Sequence, residues 1–246
     1  KSRSAPTVAL AATPTEFHVT VIPTQPFLVI PRHTSERRDY VPFGYAKPPI
    51  IAGDSALVVL GPTVSLFGVL TSAMHMAWLR NIGGRLKSDY RYSIGLVYNT
   101  FPWPEMSAAQ EERIAALAQD VLDARAEFAG STLAELYDPD LMPPKLRRAH
   151  QALDRAVDRL YRSKPFASER ERVEHLRRDP GVRAHADADD RDFRHIRVDD
   201  EFVVFDLAFG LGVFERLGRA GDLVDRAGKG HVGDGAGVML VVILFR

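Results

Sequence analysis

The sequence predicts an α+β fold in which a β-rich region with one buried helix precedes a small helical bundle and a poorly defined tail. Short runs rich in Val, Ile, Phe and Tyr, separated by proline and glycine, dominate the first hundred residues. From Ser107 onwards the pattern changes to amphipathic helices with recognisable starts and stops. We therefore expect a first domain over residues 1–104, a helical domain over 105–178, and an atypical tail over 179–246.

The β-rich region contains four short strand candidates, which are Phe17–Ile22, Phe27–Pro31, Tyr40–Tyr45 and Ala56–Leu60. Thr63–Leu79 is apolar on every side, which predicts a buried helix that Gly83 and Gly84 terminate. We expect His75 in this helix to be a core residue rather than a ligand. Ile94–Tyr98 is a further strand candidate, and closely spaced prolines then end the region.

The helical region begins with a capping-box pattern formed by Ser107 and Gln110. Pro143 and Pro144 open a second long helix, because proline is well tolerated in a first helical turn. Ser168–Arg177 is a weaker third candidate. Two or three amphipathic helices indicate a small bundle packed against the β-rich region.

Composition is that of an ordinary globular chain of 246 residues, with 46% hydrophobic and 26% charged residues. Thirty-two basic and thirty-two acidic residues balance, which excludes a histone-like polycation but leaves room for a local basic surface. The absence of cysteine excludes disulfides, thiolate metal sites and cysteine nucleophiles. No stretch is suited to crossing a membrane, and Lys1–Ala12 lacks the apolar run of a signal peptide. We expect a piece of a longer cytoplasmic protein.

The segment Gly83–Tyr92 carries the sharpest local signal. As one extended strand with a two-residue period, it places four charged side chains on one face, which are Arg85, Lys87, Asp89 and Arg91. Lysine donates to O6 and N7 of guanine, and aspartate accepts from the amino group of cytosine. Such a face could therefore read base pairs in a groove of DNA. The residues alone leave open a plain salt-bridged strand that faces solvent.

Further basic residues near this segment could contact phosphates, which position a protein on DNA without reading its sequence. Besides Arg85 and Arg91, these are Arg80 and a second cluster that includes Arg37 and Arg38.

Several longer blocks of the sequence carry a resemblance, and they are Ser35–Gly44, Phe67–Trp78, Gly84–Ser93, Val97–Pro104, Thr132–Pro139 and His150–Asp154. Together they resemble the C-terminal part of type IIL restriction–modification enzymes of the MmeI kind, which methylate adenine N6 in DNA. The likeness covers roughly Pro6–Arg178. It implies a target-recognition domain followed by a helical C-terminal domain. It also implies two partners, double-stranded DNA and an upstream methyltransferase domain of the same polypeptide.

The resemblance assigns roles to individual residues. In that family a charged pair in the Gly-Arg-Leu segment helps to read the base pair next to the methylated adenine. Lys87 and Asp89 occupy those places here, and this combination suggests guanine. Arg91 and Ser55 fall where the family has further specificity residues.

The family's catalytic motif, Asn-Pro-Pro-Tyr, has no counterpart, because Thr100 replaces the first proline in the nearest match, Asn99–Trp103. Val203–Gly212 imitates the glycine-rich turn of an S-adenosylmethionine site, but Ala208 replaces one expected glycine. We therefore expect the cofactor S-adenosylmethionine in the full-length enzyme and no cofactor or metal in this piece. The prediction is a chain that recognises DNA without methylating or cutting it. The alternative is a protein-interaction or scaffolding module with no DNA readout.

Overall fold

The computed structural model of the chain describes residues 23–53 and 55–178 and the backbone of residues 203–206. Its strands are β1 Phe27–Pro31, β2 His33–Thr34, β3 Gly44–Ala46, β4 Ala56–Leu60, β5 Gly84–Leu86, β6 Asp89–Arg91 and β7 Val203–Asp206. They form a four-stranded sheet in the order β3-β1-β4-β7 and a three-stranded sheet in the order β2-β6-β5. The strand predicted at Phe17–Ile22, and the tail apart from β7, lie outside the described residues.

Two of the predicted strands, Phe27–Pro31 and Ala56–Leu60, are confirmed with the same bounds. The strand predicted at Tyr40–Tyr45 is wrong in extent, since only Gly44–Ala46 pairs with β1, while Tyr40 and Val41 pack into the core. The strand predicted at Ile94–Tyr98 is wrong, because this segment forms a π-helical turn in which the Asn99 N–H donates to the Ile94 carbonyl at 2.9 Å. A short apolar run cannot by itself distinguish a buried strand from a buried helical turn.

The helices are α1 Val64–Leu70, α2 Ala73–Ile82, α3 Ala108–Ala126, α4 Leu133–Leu136, α5 Pro144–Tyr161 and α6 Glu169–Leu176. The single helix predicted over Thr63–Leu79 is therefore two helices. The break occurs at Ser72, whose hydroxyl donates to the Val69 carbonyl at 2.7 Å and accepts from the His75 N–H at 3.4 Å. Serine competes in this way for backbone groups and starts a new helix.

The predicted helix ends are confirmed at several points. Ser107 and Gln110 form the expected capping box at the start of α3. Gly83 is the C-terminal cap of α2, and Pro144 is the first residue of α5. The predicted α+β class is confirmed as well.

One hydrophobic core joins the β-rich region to the helical region. Helix α1 packs on α3, and α3 packs on α5. A Cβ atom at Gly68 would lie only 2.8 Å from Cγ2 of Ile114, so α1 and α3 approach closely. Trp78 of α2 and Leu153 of α5 are buried in the same cluster. Within the described ranges, no helix is both long and apolar enough to cross a membrane.

Candidate nucleic-acid interface

The segment that follows α2 is a β-hairpin and not the single extended strand that its residue pattern predicts. Strands β5 and β6 pair antiparallel, and the chain turns at Lys87 and Ser88. Lys87 has a positive φ of 58°, a conformation that costs a non-glycine residue about 1 kcal/mol. The hairpin tip therefore presents Lys87 in a fixed, strained backbone conformation.

The pairing register redistributes the charged side chains between the two faces of the three-stranded sheet. Residues directly opposite each other in a sheet share a face. Asp89 lies opposite Leu86, and Arg91 lies between Gly84 on β5 and His33 on β2. We call the four side chains of His33, Leu86, Asp89 and Arg91, together with Lys87 at the tip, the outer face.

The other face of this sheet packs into the protein. Thr34 is 2% exposed and Tyr90 is 7% exposed. Arg85 lies on this side, with its guanidinium 4.4 Å from the centre of the Tyr90 ring. The prediction that Arg85 shares a face with Asp89 and Arg91 is therefore wrong, because the two-residue turn pairs Arg85 with Tyr90, which lies on the opposite face of β6 from both.

The outer face is open to solvent. Leu86 is 56% exposed, Lys87 and Arg91 are exposed, and Asp89 is half-buried. Within the described part of the chain, the side chains of Lys87, Asp89 and Arg91 have no hydrogen-bond or ion-pair partner. Burial, with help from the nearby cations Arg91 and Arg32, lowers the pKa of His33. His33 is therefore a neutral member of this face at pH 7. The sequence places His33 only in the second basic cluster, beside Arg37 and Arg38, because a two-residue strand has no periodicity that would show which face it occupies.

Ser55, the fourth predicted base-reading residue, lies close to this face. It is exposed and directly precedes β4. Its carbonyl accepts from the Arg32 N–H at 3.0 Å, and the Arg32 carbonyl accepts from the Tyr92 N–H at 2.8 Å. One residue, Arg32, thus separates Ser55 from the end of β6. Lys87, Asp89 and Arg91 thus lie on one hairpin, and Ser55 is connected through Arg32 to the end of that hairpin.

Two of the arginines predicted to contact the DNA backbone are used inside the fold. Arg38 is only 8% exposed, and burial lowers its pKa. Arg80 pairs with Glu169 at the start of α6 and donates to the Arg38 carbonyl at 2.9 Å. Sequence pattern cannot show this, because both partners of Arg80 are far away along the chain.

The other two predicted backbone contacts are more accessible. Arg85 makes a long 3.5 Å ion pair with Glu36, and its side chain is 46% exposed. Arg37 pairs with Asp140, and both side chains are more than 60% exposed. Exposed ion pairs of this kind contribute little stability, so both arginines can exchange their carboxylate partner for a phosphate.

A buried contact holds the end of the hairpin that lies opposite the turn. His75 Nε2 and Tyr92 Oη are 2.8 Å apart, and both residues are fully buried. The prediction that His75 is a core residue is confirmed. Burial lowers the pKa of His75 to about 3, so the ring is neutral at pH 7. Phe101 and Trp103 pack edge to face beside it, with ring centres 5.1 Å apart.

A second polar cluster, which the sequence did not reveal, joins the two regions. The Arg125 guanidinium donates to the Phe43 carbonyl at 2.7 Å and to the Tyr137 hydroxyl. Tyr137 in turn lies 2.6 Å from Nε2 of His150. We call Arg125, Tyr137 and His150 the junction cluster. In the sequence, the one sign of this cluster was an arginine, Arg125, within the predicted amphipathic helix.

The described residues contain no group of three or more His, Asp or Glu side chains that could hold a metal ion. Grooves between the helices are shallow and open to solvent. The outer face, in contrast, carries the exposed charged side chains of Lys87 and Arg91.

Comparison with known proteins agrees with this picture. Residues 1–105 match the family described as MmeI, target recognition domain, and residues 106–179 match the family described as MmeI, C-terminal domain. DNA methyltransferase A of Bacillus subtilis (strain 168) is 45% identical over 176 residues, which are 72% of this chain and 20% of that protein.

A solved structure of the type IIL restriction–modification enzyme MmeI in complex with DNA is also similar. Its TM-score is 0.70 and its identity is 38%, over 76% of this chain and 25% of that chain. The chain thus spans about a fifth to a quarter of the length of these two relatives. The resemblance inferred from the sequence blocks is confirmed, and the chain belongs to the MmeI family, whose target recognition and C-terminal domains it carries.

Proposed function

We propose that this chain reads a base sequence in double-stranded DNA through its outer face. This recognition directs an adenine-N6 methyltransferase of a restriction–modification system to its target sequence. One observation carries the proposal above all others. The three-stranded sheet buries one face and leaves an acceptor and a donor, Asp89 and Arg91, on the other, and the exposed donor Lys87 lies at the adjoining hairpin tip.

The hairpin has the shape and chemistry for groove readout. The major groove of DNA admits a two-stranded β-ribbon, and its base edges present distinct patterns of donors and acceptors. Lys87 can donate to O6 and N7 of a guanine, and Asp89 can accept from the amino group of the paired or neighbouring cytosine. Arg91 and Ser55 are the further candidates for base contacts.

Contacts to phosphates would come from Arg37 and Arg85, whose carboxylate partners are exposed and easily replaced. Arg38 and Arg80 are left out of this set, because Arg38 is buried and the Arg80 guanidinium pairs with Glu169. Neutralised phosphates release counterions, so binding should weaken steeply with salt.

Methyl transfer itself belongs elsewhere in the proposed enzyme. An upstream methyltransferase domain of the same polypeptide would bind S-adenosylmethionine and act on the adenine, in the bacterial or archaeal cytoplasm. The residues of this chain hold the target sequence in register for that domain.

The proposal is tested by selecting the 246-residue chain on a randomised duplex library and sequencing the bound DNA. The double variant Lys87→Asp, Asp89→Lys reverses donor and acceptor at the hairpin without changing the net charge. Aspartate tolerates the positive φ at position 87 better than most residues. We expect the wild type to enrich one sequence motif, and the variant to change the preferred base pair at one position. A good base contact discriminates by about 1–3 kcal/mol, so the preference should shift about 5- to 150-fold.

The matched control exchanges Lys145 and Glu127, two exposed residues of opposite charge in the helical region. This control should enrich the wild-type motif. An unchanged motif in the hairpin variant would contradict the assignment of Lys87 and Asp89. A wild type that enriches no motif would overturn sequence reading altogether and favour the protein-interaction alternative.

A further inference from the structure

Helix α2 leads directly into the recognition hairpin. It ends at Ile82, and β5 begins at Gly84. Between them, a Cβ atom at Gly83 would lie 2.5 Å from the Leu79 carbonyl oxygen and 3.3 Å from the Arg91 carbonyl oxygen. The hairpin therefore packs closely against the end of the helix. Tyr92 directly follows β6, and its hydrogen bond with His75 of α2 is a second connection between the hairpin and this helix.

The opposite end of α2 is held by one carboxylate from the helical region. Asp154 of α5 is only 8% exposed, and its Oδ1 accepts from the N–H of Ala73, the first residue of α2, at 2.7 Å. Its Oδ2 accepts from the Tyr40 hydroxyl at 2.6 Å. The first N–H groups of a helix have no partner within the helix and form the positive end of its dipole. A buried carboxylate satisfies both requirements.

We propose that Asp154 is a positioning residue for DNA recognition, which sets the direction of α2 and thereby the angle at which the outer face meets the duplex. This inference rests on the proposed function, since it assigns to the helical region a part in base readout. It concerns geometry, because Asp154 itself is too deeply buried to touch DNA.

The length of α2 turns a small change at Asp154 into a large one at the hairpin. Ten residues of helix span about 15 Å, so a tilt of about 10° moves the far end by about 2.6 Å. Hydrogen bonds to base edges are lost over such a distance, because they require donor–acceptor separations near 2.9 Å. Contacts between flexible arginines and phosphates tolerate it. A weakened hold on α2 should therefore reduce sequence discrimination more than it reduces general affinity for DNA.

The environment of the carboxylate fits a precisely held group. Burial raises the pKa of Asp154 to about 6, against the lowering effect of its hydrogen bonds from Tyr40 and Ala73. The ring of Tyr40 also stacks on His150, with centres 4.0 Å apart. Asp154→Asn keeps the shape of the side chain, but its amide group then faces one of the two donors and cannot accept from it.

The experiment compares Asp154→Asn with Asp158→Asn in the 246-residue chain. Asp158 lies one turn further along α5 and is equally buried, but its carboxylate binds Arg172 of α6, at 2.8 and 2.7 Å, and not the start of α2. Each variant is measured for thermal unfolding and for its dissociation constants with two duplexes. One duplex carries the motif that the wild type selects, and the other is a shuffled sequence of equal length.

We expect both variants to unfold at lower temperature than the wild type. Asp154→Asn should reduce the ratio of specific to non-specific affinity about tenfold, equivalent to about 1.4 kcal/mol, and leave binding to the shuffled duplex within about twofold. Asp158→Asn should leave the ratio within about twofold of the wild type. Tyr40→Phe, which removes a single hydrogen bond, should reduce the ratio by about threefold and serves if Asp154→Asn fails to fold.

The possible outcomes separate this inference from the function on which it rests. Unchanged discrimination in Asp154→Asn and Tyr40→Phe would overturn the positioning role and leave DNA readout intact. An equal loss in Asp158→Asn would also overturn it, because general loosening would then explain both. A wild type that does not distinguish the two duplexes would refute the proposed function itself, and the inference with it.

Discussion

The outer face and the junction cluster both contain arginine side chains, but they use them in opposite ways. Arg125 in the junction cluster is 8% exposed, and its donors are taken up by the Phe43 carbonyl and the Tyr137 hydroxyl. Arg91 on the outer face is exposed, and within the described residues its side chain has no such partner. The first arginine joins two regions of the fold, whereas the second remains available for a ligand.

The comparison shows how function can be read from hydrogen-bond satisfaction. A buried charge must be paired, since leaving it unpaired costs several kcal/mol. An exposed charge without a partner costs little and contributes little to stability. A strained lysine lies at an exposed turn, beside Asp89 and Arg91, which have no ion-pair partner among the residues that the structure describes. This arrangement is therefore better explained by an external partner than by the requirements of folding.

The largest effect should come from making the same substitution at both arginines. Arg125→Met leaves the Phe43 carbonyl buried without its donor, so we expect the free energy of unfolding to fall by about 3 kcal/mol. Arg91→Met removes an exposed charge, and stability should change by less than about 0.5 kcal/mol. Urea unfolding of both variants measures the difference.

The loss of DNA affinity should be larger for Arg91→Met than for Arg125→Met, which is the reverse of the order in stability. Arg91→Met should weaken binding to the selected motif by about 1–3 kcal/mol and relax the base preference at one position, which the library selection measures. Equal stability losses in both variants would remove the distinction between the two regions.

A smaller effect concerns the pH dependence of stability, which His75 at the buried end of the hairpin should influence. The pKa of His75 is lowered from 6.5 to about 3 in the folded protein, so the unfolded chain binds more protons between these values. The stability that the neutral ring contributes is complete above pH 6.5 and is lost as the pH falls through this window. Between pH 7.5 and 5.5 the loss from one such histidine is about 1 kcal/mol.

His75→Gln should therefore lose about 1 kcal/mol less stability than the wild type between pH 7.5 and 5.5. Urea titrations at both pH values give the two differences directly, and contributions from other titrating groups cancel between the proteins. Identical pH dependence in both would show that His75 takes up its proton as readily in the folded chain as in the unfolded one.

The sequence predicted those features that depend on neighbouring residues. The capping box at Ser107 and the strands Phe27–Pro31 and Ala56–Leu60 follow from local pattern, and the structure confirms them. The break at Ser72 was missed because a continuous apolar run conceals a helix cap. The hairpin turn at Lys87 was missed because turns of this kind favour glycine, asparagine or aspartate.

The sequence alone did not predict which residues far apart along the chain contact each other. The family resemblance brought Lys87, Asp89, Arg91 and Ser55 together as a site, but it did not show which face each occupies. Arg80 and Arg38 were placed on DNA because a basic residue near a recognition segment looks available. Only the fold shows that Arg80 pairs with Glu169 and that Arg38 is buried.

The central claim is that the outer face is the surface that DNA covers, and the absence of cysteine from the chain allows a direct test. Ser88→Cys introduces a single thiol at the hairpin tip, and Ala116→Cys introduces one on the exposed surface of α3, between Glu112 and Asp120 one turn away on either side. The measurement is the rate of thiol alkylation with and without duplex DNA at about ten times its dissociation constant. We predict about tenfold slower alkylation of the Ser88→Cys protein and an unchanged rate for the Ala116→Cys protein. Equal rates with and without DNA at the hairpin tip, under conditions where binding is complete, would contradict the account.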